Sequence, residues 1–104
     1  MVSIIIPVYN EEKIIAGQLQ RLSAVTGSDT EVIAVDGGST DRTVCIIEAH
    51  ENITFLKSPR KGRAVQMNHG ASSAKGDILL FLHADAMLPE VWKSEIGRAM
   101  ENGC

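Results

Sequence analysis

The chain has 104 residues, a length that suits a single domain spanning residues 1–104. Apolar residues make up 44% of it and the net charge is only -3, a balance that excludes intrinsic disorder. The slight acidity argues against a nucleic-acid partner, which usually meets a basic protein face.

Neither a membrane-spanning segment nor a signal peptide is expected. No apolar run approaches the ~20 residues that a spanning helix needs, and the apolar N-terminus lacks a basic region and a cleavage site. Cys45 and Cys104 lack metal-pair spacing, so we expect reduced thiols, with Cys45 in the core. These features predict a cytoplasmic protein, and a short basic run at 57–63 leaves a peripheral position at the cytoplasmic membrane face open.

Four short apolar runs are spaced along the chain, and the first of them is a burst of β-branched residues. Such runs are typical of strands that are buried on both faces of a sheet. The predicted strands cover residues 2–6, 31–35, 53–56 and 78–82. Pro7 is expected to end the first of them.

Each predicted strand is followed by apolar residues at helical spacing. Asn10 is expected to cap the first helix, and Ser39 or Thr40 the second. The third helix is expected to end at Gly76, and a last helix to begin at Pro89. This alternation predicts a three-layer α/β fold, in which a mainly parallel sheet lies between helices.

Polar clusters directly follow three of the predicted strands. They are Pro7 to Glu11, Asp36 to Asp41, and His83 to Asp85. In open parallel α/β sheets, ligands bind beyond the carboxyl ends of the strands. We therefore expect the three clusters to form one site.

The first two clusters carry groups suited to a nucleoside. Tyr9 could stack on a flat base, and Glu11 could accept a hydrogen bond from a ribose or base. Asp36 is placed to accept from a base N–H or a ribose hydroxyl, and Gly37 and Gly38 allow close backbone approach. A structural interpretation also stands, in which the first cluster only caps a helix with Tyr9 on the surface, and Ser39 or Thr40 and Asp41 only begin the second helix. Asp36 is not needed for such a cap.

The third cluster suits a hard cation. Asp85, just after a buried strand, could bind Mg²⁺ or Mn²⁺ together with a diphosphate, because such ions prefer oxygen ligands. His83 could bind metal or phosphate, or simply fill the strand end. Arg60, Lys61 and Arg63 could contact a diphosphate near a helix N-terminus, or form a solvated charge run.

Four ordered segments together resemble family 2 glycosyltransferases. They are Ile4 to Glu12, Asp36 to Asp41, Gly62 to Gly76, and Phe81 to Asp85, the last in the place of the family's D-x-D metal motif. The resemblance covers almost the whole chain. It implies a Rossmann-like GT-A fold, here a truncated one that corresponds to the N-terminal, nucleotide-sugar-binding half.

The resemblance also implies roles for particular residues. Those implied to bind the nucleotide are Pro7, Tyr9, Glu11, Asp36 and Arg63. Asp85 would bind the divalent metal, Mg²⁺ or Mn²⁺, with His83 in the diphosphate region where the family has an acid. The donor would be a UDP-sugar or GDP-sugar, and the reaction an inverting transfer to an unknown acceptor. The catalytic base is expected outside this chain.

Two other functions were weighed against this one. An NAD-binding domain with Asp36 on the adenosine ribose conflicts with the first β–α turn, Pro7 to Asn10, which lacks the glycine-rich fingerprint. A non-catalytic, truncated domain could bind nucleotide or self-associate through an exposed sheet edge and apolar face. A homo-oligomer or a partner chain could then complete the fold.

Overall fold

A computed structural model describes residues 1–27 and 29–84. The strands are β1 (Val2–Val8), β2 (Thr30–Asp36), β3 (Ile53–Lys57) and β4 (Ile78–Phe81), and the helices are α1 (Ile15–Val25), α2 (Thr43–Glu48) and α3 (Arg63–Ser73). The predicted alternation is therefore confirmed over the described residues, while the helix expected from Pro89 lies outside them. None of the described helices is long and apolar enough to cross a membrane.

The described strands form one parallel sheet in the order β3-β2-β1-β4. β1 lies inside the sheet and pairs with β2 along its whole length, from Val2 opposite Thr30 to Val8 opposite Asp36. Ile4, Ile5 and Ile6 are completely buried, as the apolar run predicts for an inner strand. The register brings the carboxyl ends of β1 and β2 side by side, which is where the polar clusters begin.

Helices cover both faces of the sheet, so the predicted three-layer architecture is confirmed. On one face, Leu19 of α1 and Ile47 of α2 pack with Ile4 and Ile6 in one core cluster. On the other face, α3 approaches so closely that a Cβ on Gly70 would lie 2.6 Å from Cγ2 of Ile5. Burying each large aliphatic side chain contributes roughly 1.5–3 kcal/mol, so these two layers hold the strands in place.

Pro7 does not end the first strand, contrary to the prediction. It lies within β1, opposite Val35 of β2, and is buried. β1 pairs with β4 only from Val2 to Ile5, and the carbonyl of Ile5 accepts the N–H of Leu82. Alternate residues of a strand face the same neighbour, so Pro7 faces the β4 side beyond the last pairing. No ladder hydrogen bond is lost at that position, and the proline is tolerated.

Asn10 does not cap α1, although its position after the strand predicted that it would. The helix begins at Ile15, and no side-chain hydrogen bond caps it. The intervening residues form a turn in which the carbonyl of Glu11 accepts the N–H groups of Ile14 and Ile15. Asn10 itself has a φ of 51°, a left-handed conformation that asparagine tolerates better than most residues.

The second helix also begins later than predicted. α2 starts at Thr43 and has no side-chain cap, so neither Ser39 nor Thr40 caps it. Cys45, which was expected in the core, is an exposed free thiol on this helix. The short helix buries Thr43 and Ile47 instead.

The amino end of the sheet is fastened by a small polar network. α3 ends at Ser73 and not at Gly76, whose N–H instead donates a 2.8 Å hydrogen bond to the hydroxyl of Ser3. The Ser3 hydroxyl and the N–H of Lys75 both donate to the carboxylate of Glu31. Desolvation raises the pKa of Glu31, but these hydrogen bonds outweigh it and hold the pKa below its ordinary value.

Candidate functional site

The loop after β1 is bonded directly to the loop after β2. The N–H of Asn10 donates to the hydroxyl of Ser39, and the side-chain oxygen of Asn10 accepts the N–H of Thr40, both at 2.8 Å. The left-handed backbone of Asn10 turns both groups toward the neighbouring loop. The polar residues that looked like helix caps therefore join two loops that are distant in sequence.

A second pair of hydrogen bonds extends the same junction. The N–H of Glu11 donates to the hydroxyl of Thr43 at 2.8 Å, and the N–H of Glu12 donates to the carboxylate of Asp41 at 3.3 Å. Desolvation raises the pKa of Asp41, but hydrogen bonds from the Thr43 hydroxyl, the Thr43 N–H and the Glu12 N–H hold it below its ordinary value. The junction thus places Glu11 and Asp41 side by side at the carboxyl edge of the sheet.

Asp36 is the last residue of β2 and is only 1% exposed. Its carboxylate accepts the N–H of Gly38 at 2.9 Å, the N–H of Ser39 at 3.0 Å and the hydroxyl of Ser39. The sequence interpretation assigned Asp36 no structural task, so this turn is a correction to it. A carboxylate has about four acceptor positions, which leaves capacity for one further donor beside these three. Base contact by Asp36 stays a prediction.

Gly37 meets a residue that the sequence interpretation missed. A Cβ at Gly37 would lie 2.8 Å from Oε1 of Gln66, so the close approach predicted for this glycine is to a side chain of α3. Gln66 is 4% exposed. A polar residue on the buried face of an amphipathic helix was the available sequence signal.

The ring of Tyr9 lies at the same edge and is half-buried. The ammonium nitrogen of Lys61 sits 4.1 Å from its ring centroid, within the range of a cation–π contact. One face of the ring is therefore covered by an exposed lysine, and a base that stacks on that face has to displace it. The sequence is compatible with either a ligand contact or a solvated charge for Lys61, and the structure adds this contact with the ring.

The remaining predicted site residues are more scattered. Pro7 is buried in β1, Arg63 is the exposed first residue of α3, and His83 is exposed just after β4. The backbone carbonyl of His83 accepts a long, 3.4 Å hydrogen bond from the side chain of Gln18. Asp85 lies outside the described residues. Within residues 1–27 and 29–84, no three His, Cys, Asp or Glu side chains come together as a metal site.

Surface recesses occur both at the joined loops and at the other end of the sheet. One, of about 390 Å³, lies at the joined loops and is lined by Asn10 to Ile14 and Asp41. The other, of about 500 Å³, lies at the amino end of β2 and β3, where Glu31 is already hydrogen-bonded to Ser3 and Lys75. The first recess includes Glu11, one of the predicted nucleotide contacts, although the second recess is larger.

The chain is similar to known glycosyltransferases over most of its length. It is 38% identical over 92 residues to an uncharacterised glycosyltransferase of Haemophilus influenzae, a match that covers 86% of this chain and 31% of the relative. The solved structure of TarS residues 1–349 of S. aureus in complex with UDP matches with a TM-score of 0.85 and 26% identity. That match covers 97% of this chain and 32% of the TarS chain.

A third matched structure contains a bound metal ion and a sugar donor. The mannosyltransferase PcManGT of Pyrobaculum calidifontis, in complex with GDP-Man and Mn²⁺, matches with a TM-score of 0.76 and 30% identity. This match covers 85% of the present chain and 28% of the mannosyltransferase. The chain thus spans about a third of the length of these relatives.

The family assignment rests on the sequence as a whole. The model of the family described as "Glycosyl transferase family 2" matches residues 3–104. The parallel α/β sheet described above agrees with the GT-A folds of the matched structures. The chain therefore belongs to glycosyl transferase family 2.

Proposed function

We propose that this chain supplies the donor-binding part of an enzyme that transfers a sugar from a nucleotide diphosphate to an acceptor. The observation that carries the proposal is the hydrogen-bonded junction of the loops after β1 and β2. It gathers Tyr9, Glu11 and Asp36 at one edge of the sheet. The UDP bound to TarS and the GDP-Man bound to PcManGT support a nucleotide-sugar donor.

The nucleoside is proposed to bind across this junction. The base is proposed to stack on the face of Tyr9 that Lys61 covers, so Lys61 has to leave the ring. Asp36 uses its remaining acceptor position for a base N–H, and Glu11 accepts from the ribose. Pro7, two residues before Tyr9 in the sequence, is proposed to line the same nucleoside pocket. Because the loops are already bonded to each other, little backbone ordering is required on binding.

The diphosphate is proposed to bind near the carboxyl end of β4 and the amino end of α3. Arg63 offers a guanidinium that can pair with phosphate oxygens, and His83 lies after β4 on the exposed surface. Asp85 would hold a Mg²⁺ or Mn²⁺ together with donor oxygens; the described residues alone do not provide a ligand set. When bound, such an ion supplies positive charge that offsets the charge on the departing diphosphate. The transfer is proposed to be inverting, with the base supplied by residues outside this chain.

The proposed donors are UDP-sugars and GDP-sugars. We place the protein in the cytoplasm, either free or at the inner face of the membrane. The exposed free thiol of Cys45 supports a reducing compartment. No nucleic-acid partner is proposed for an acidic chain.

A second function is favoured by one observation. Leu79 is 41% exposed and Phe81 is 44% exposed, and both lie on β4, which ends the strand order of the sheet. An edge strand with exposed apolar side chains can drive association. In this alternative the chain binds nucleotide or self-associates without catalysis, and a second copy or a partner chain covers β4.

Calorimetric titration of UDP and GDP, with and without Mn²⁺, tests the first function. We expect binding that strengthens with Mn²⁺ in the wild-type chain and loses that dependence in Asp85→Ala. Asp77→Ala is the matched control, because it removes an exposed carboxylate at the opposite end of β4. Absence of binding at millimolar nucleotide would contradict the donor site. Sedimentation that shows a nucleotide-independent oligomer would then favour association.

A further inference from the structure

Gln66 reaches from α3 to the ends of both inner strands. Its side-chain nitrogen donates to the carbonyl of Val8 at 2.9 Å and to the carbonyl of Val35 at 2.8 Å. Val8 is the last residue of β1 and immediately precedes Tyr9, and Val35 immediately precedes Asp36. One side chain is thus bonded next to each of two proposed nucleotide contacts.

The two acceptors fix which way the amide group points. Both partners are carbonyl oxygens, which can only accept, so the two hydrogens of the Gln66 NH₂ group must face them. The opposite orientation would place Oε1 against two carbonyl oxygens, and none of these three atoms can donate a hydrogen bond. Because the side chain is 4% exposed, water cannot replace these hydrogen bonds without opening the structure.

The amide group also fixes the turn that follows Asp36. It lies flat against Gly37, with Oε1, Cδ and Nε2 at 2.8, 2.9 and 3.1 Å from the position of a Cβ. The N–H of Gly37 donates to the same Val8 carbonyl at 2.9 Å. Asp36 is therefore held between two backbone points, Val35 and Gly37, that both contact Gln66.

We infer that Gln66 is a positioning residue for nucleotide binding. From α3 it sets the distance between Tyr9 and Asp36, and it does not touch the ligand. The inference rests on the proposed function, because only a nucleotide site requires these two side chains to keep a fixed separation. Replacing the amide with a group that cannot donate leaves the Val35 carbonyl without this buried partner and frees the Asp36 turn to move.

The test compares Gln66→Met, which has a similar shape but no donor, with Ser3→Ala. Ser3 is a buried polar residue in a network at the opposite end of the sheet, so its loss destabilises the fold without touching the site. Both chains are studied at a temperature at which circular dichroism shows them folded. The measurements are the backbone amide resonances of Tyr9, Asp36 and Gly37, and the Kd for UDP and GDP.

We expect Gln66→Met to shift these three resonances and to weaken nucleotide binding roughly tenfold or more, the effect of losing one good hydrogen bond between the displaced Asp36 and the nucleotide. Ser3→Ala should leave both the three resonances and the nucleotide affinity close to those of the wild type. Equal resonances and affinities in the two variants would overturn the positioning role while leaving the proposed function intact. If wild type binds neither nucleotide, the proposed function fails, and unmoved resonances in Gln66→Met would separately refute the positioning of the turn.

A second pair of variants tests the same contact by a substitution in the loop after β2. Gly37→Ala places a Cβ against the Gln66 amide and should displace it, with a similar loss of affinity. In a Gln66→Ala background the clash is absent, so adding Gly37→Ala should have little further effect. Additive effects of the two substitutions would contradict the inference even if Gln66→Met does not fold.

Discussion

The backbone N–H of Glu11 donates a 2.8 Å hydrogen bond to the hydroxyl of Thr43, which lies 32 residues further along the chain. The same hydroxyl donates to the carboxylate of Asp41. Thr43 is completely buried, so its hydroxyl connects the loop after β1 with the start of α2 where solvent cannot substitute for it. Thr43 is therefore the buried one among the side chains that fix the separation of the two loops.

Thr43→Val should lower the free energy of unfolding by about 1–3 kcal/mol, because it keeps the shape but leaves the Glu11 N–H without its acceptor. Urea denaturation measures this change. Thr43→Ser is the matched control, since it retains the hydroxyl, and it should recover most of the stability. A Thr43→Val chain as stable as the wild type would refute the role of the hydroxyl, because valine keeps the methyl group and lacks only the hydrogen-bonding group.

The stability of the chain should fall in acid in a way that depends on Glu31. Its pKa in the folded chain lies below the ordinary value of 4.5, so the unfolded chain takes up the proton first as the pH falls. The stabilisation from Glu31 is complete above that value and is lost as the pH falls through the folded pKa.

Unfolding free energies at neutral pH and at steps below pH 4.5 measure the acid dependence, and Glu31→Gln should flatten it. Glu51→Gln is the control, because Glu51 is exposed and its side chain makes no hydrogen bond to the described residues. The assignment to Glu31 would be wrong if both variants kept the wild-type slope.

Replacement by alanine should change the stability in opposite directions at two helical glycines. In α3, a Cβ on Gly70 would lie 2.6 Å from Ile5 and 2.9 Å from Val35, so Gly70→Ala should cost about 1–3 kcal/mol. In α1, a Cβ on Gly17 meets only the end of Arg21, at 3.5 Å, so Gly17→Ala should gain up to about 1 kcal/mol of helix propensity. Thermal unfolding followed by circular dichroism compares them, and a rise in the unfolding midpoint of Gly70→Ala would refute the close packing of α3.

Replacement of the Tyr9 ring should weaken nucleotide binding. Stacking of a base on an aromatic side chain is worth about 1–3 kcal/mol, so Tyr9→Leu should raise the Kd for UDP by roughly tenfold or more. Tyr9→Phe keeps the ring and should bind nearly as the wild type does. Calorimetry of the three chains decides the point; unchanged affinity in Tyr9→Leu would remove base stacking from the proposed site.

The strands and the edge where the polar clusters meet could be predicted from the sequence, because each depends on a local signal. The apolar run around Ile4 to Ile6 indicates a strand buried on both faces, and the alternation with helices indicates parallel pairing. Asp36 at the end of β2 could be located for the same reason. Pro7 was misjudged because its tolerance depends on where β4 stops pairing.

The loop contacts could not be predicted, because their partners are distant in the sequence. Asn10 and Ser39 each look like a helix cap, and only the fold brings them within 2.8 Å of each other. Gln66 is a similar case: its two carbonyl acceptors lie 58 and 31 residues away. A polar residue on a buried helical face indicates that some partner exists, but the partner is defined only when β1 and β2 are side by side.

The position of β1 inside the sheet also governs how the chain can fold during its synthesis. β1 leaves the ribosome first, yet its two neighbours are β2 and β4, and β4 ends only at Phe81. Until then the β4-facing edge of an almost wholly apolar strand has no partner, although a β1–α1–β2 unit can already form. Such an edge invites intermolecular pairing at high expression. Slower translation between Lys57 and Phe81 should prolong that exposed state, so codon choice in this stretch should affect the yield of native protein.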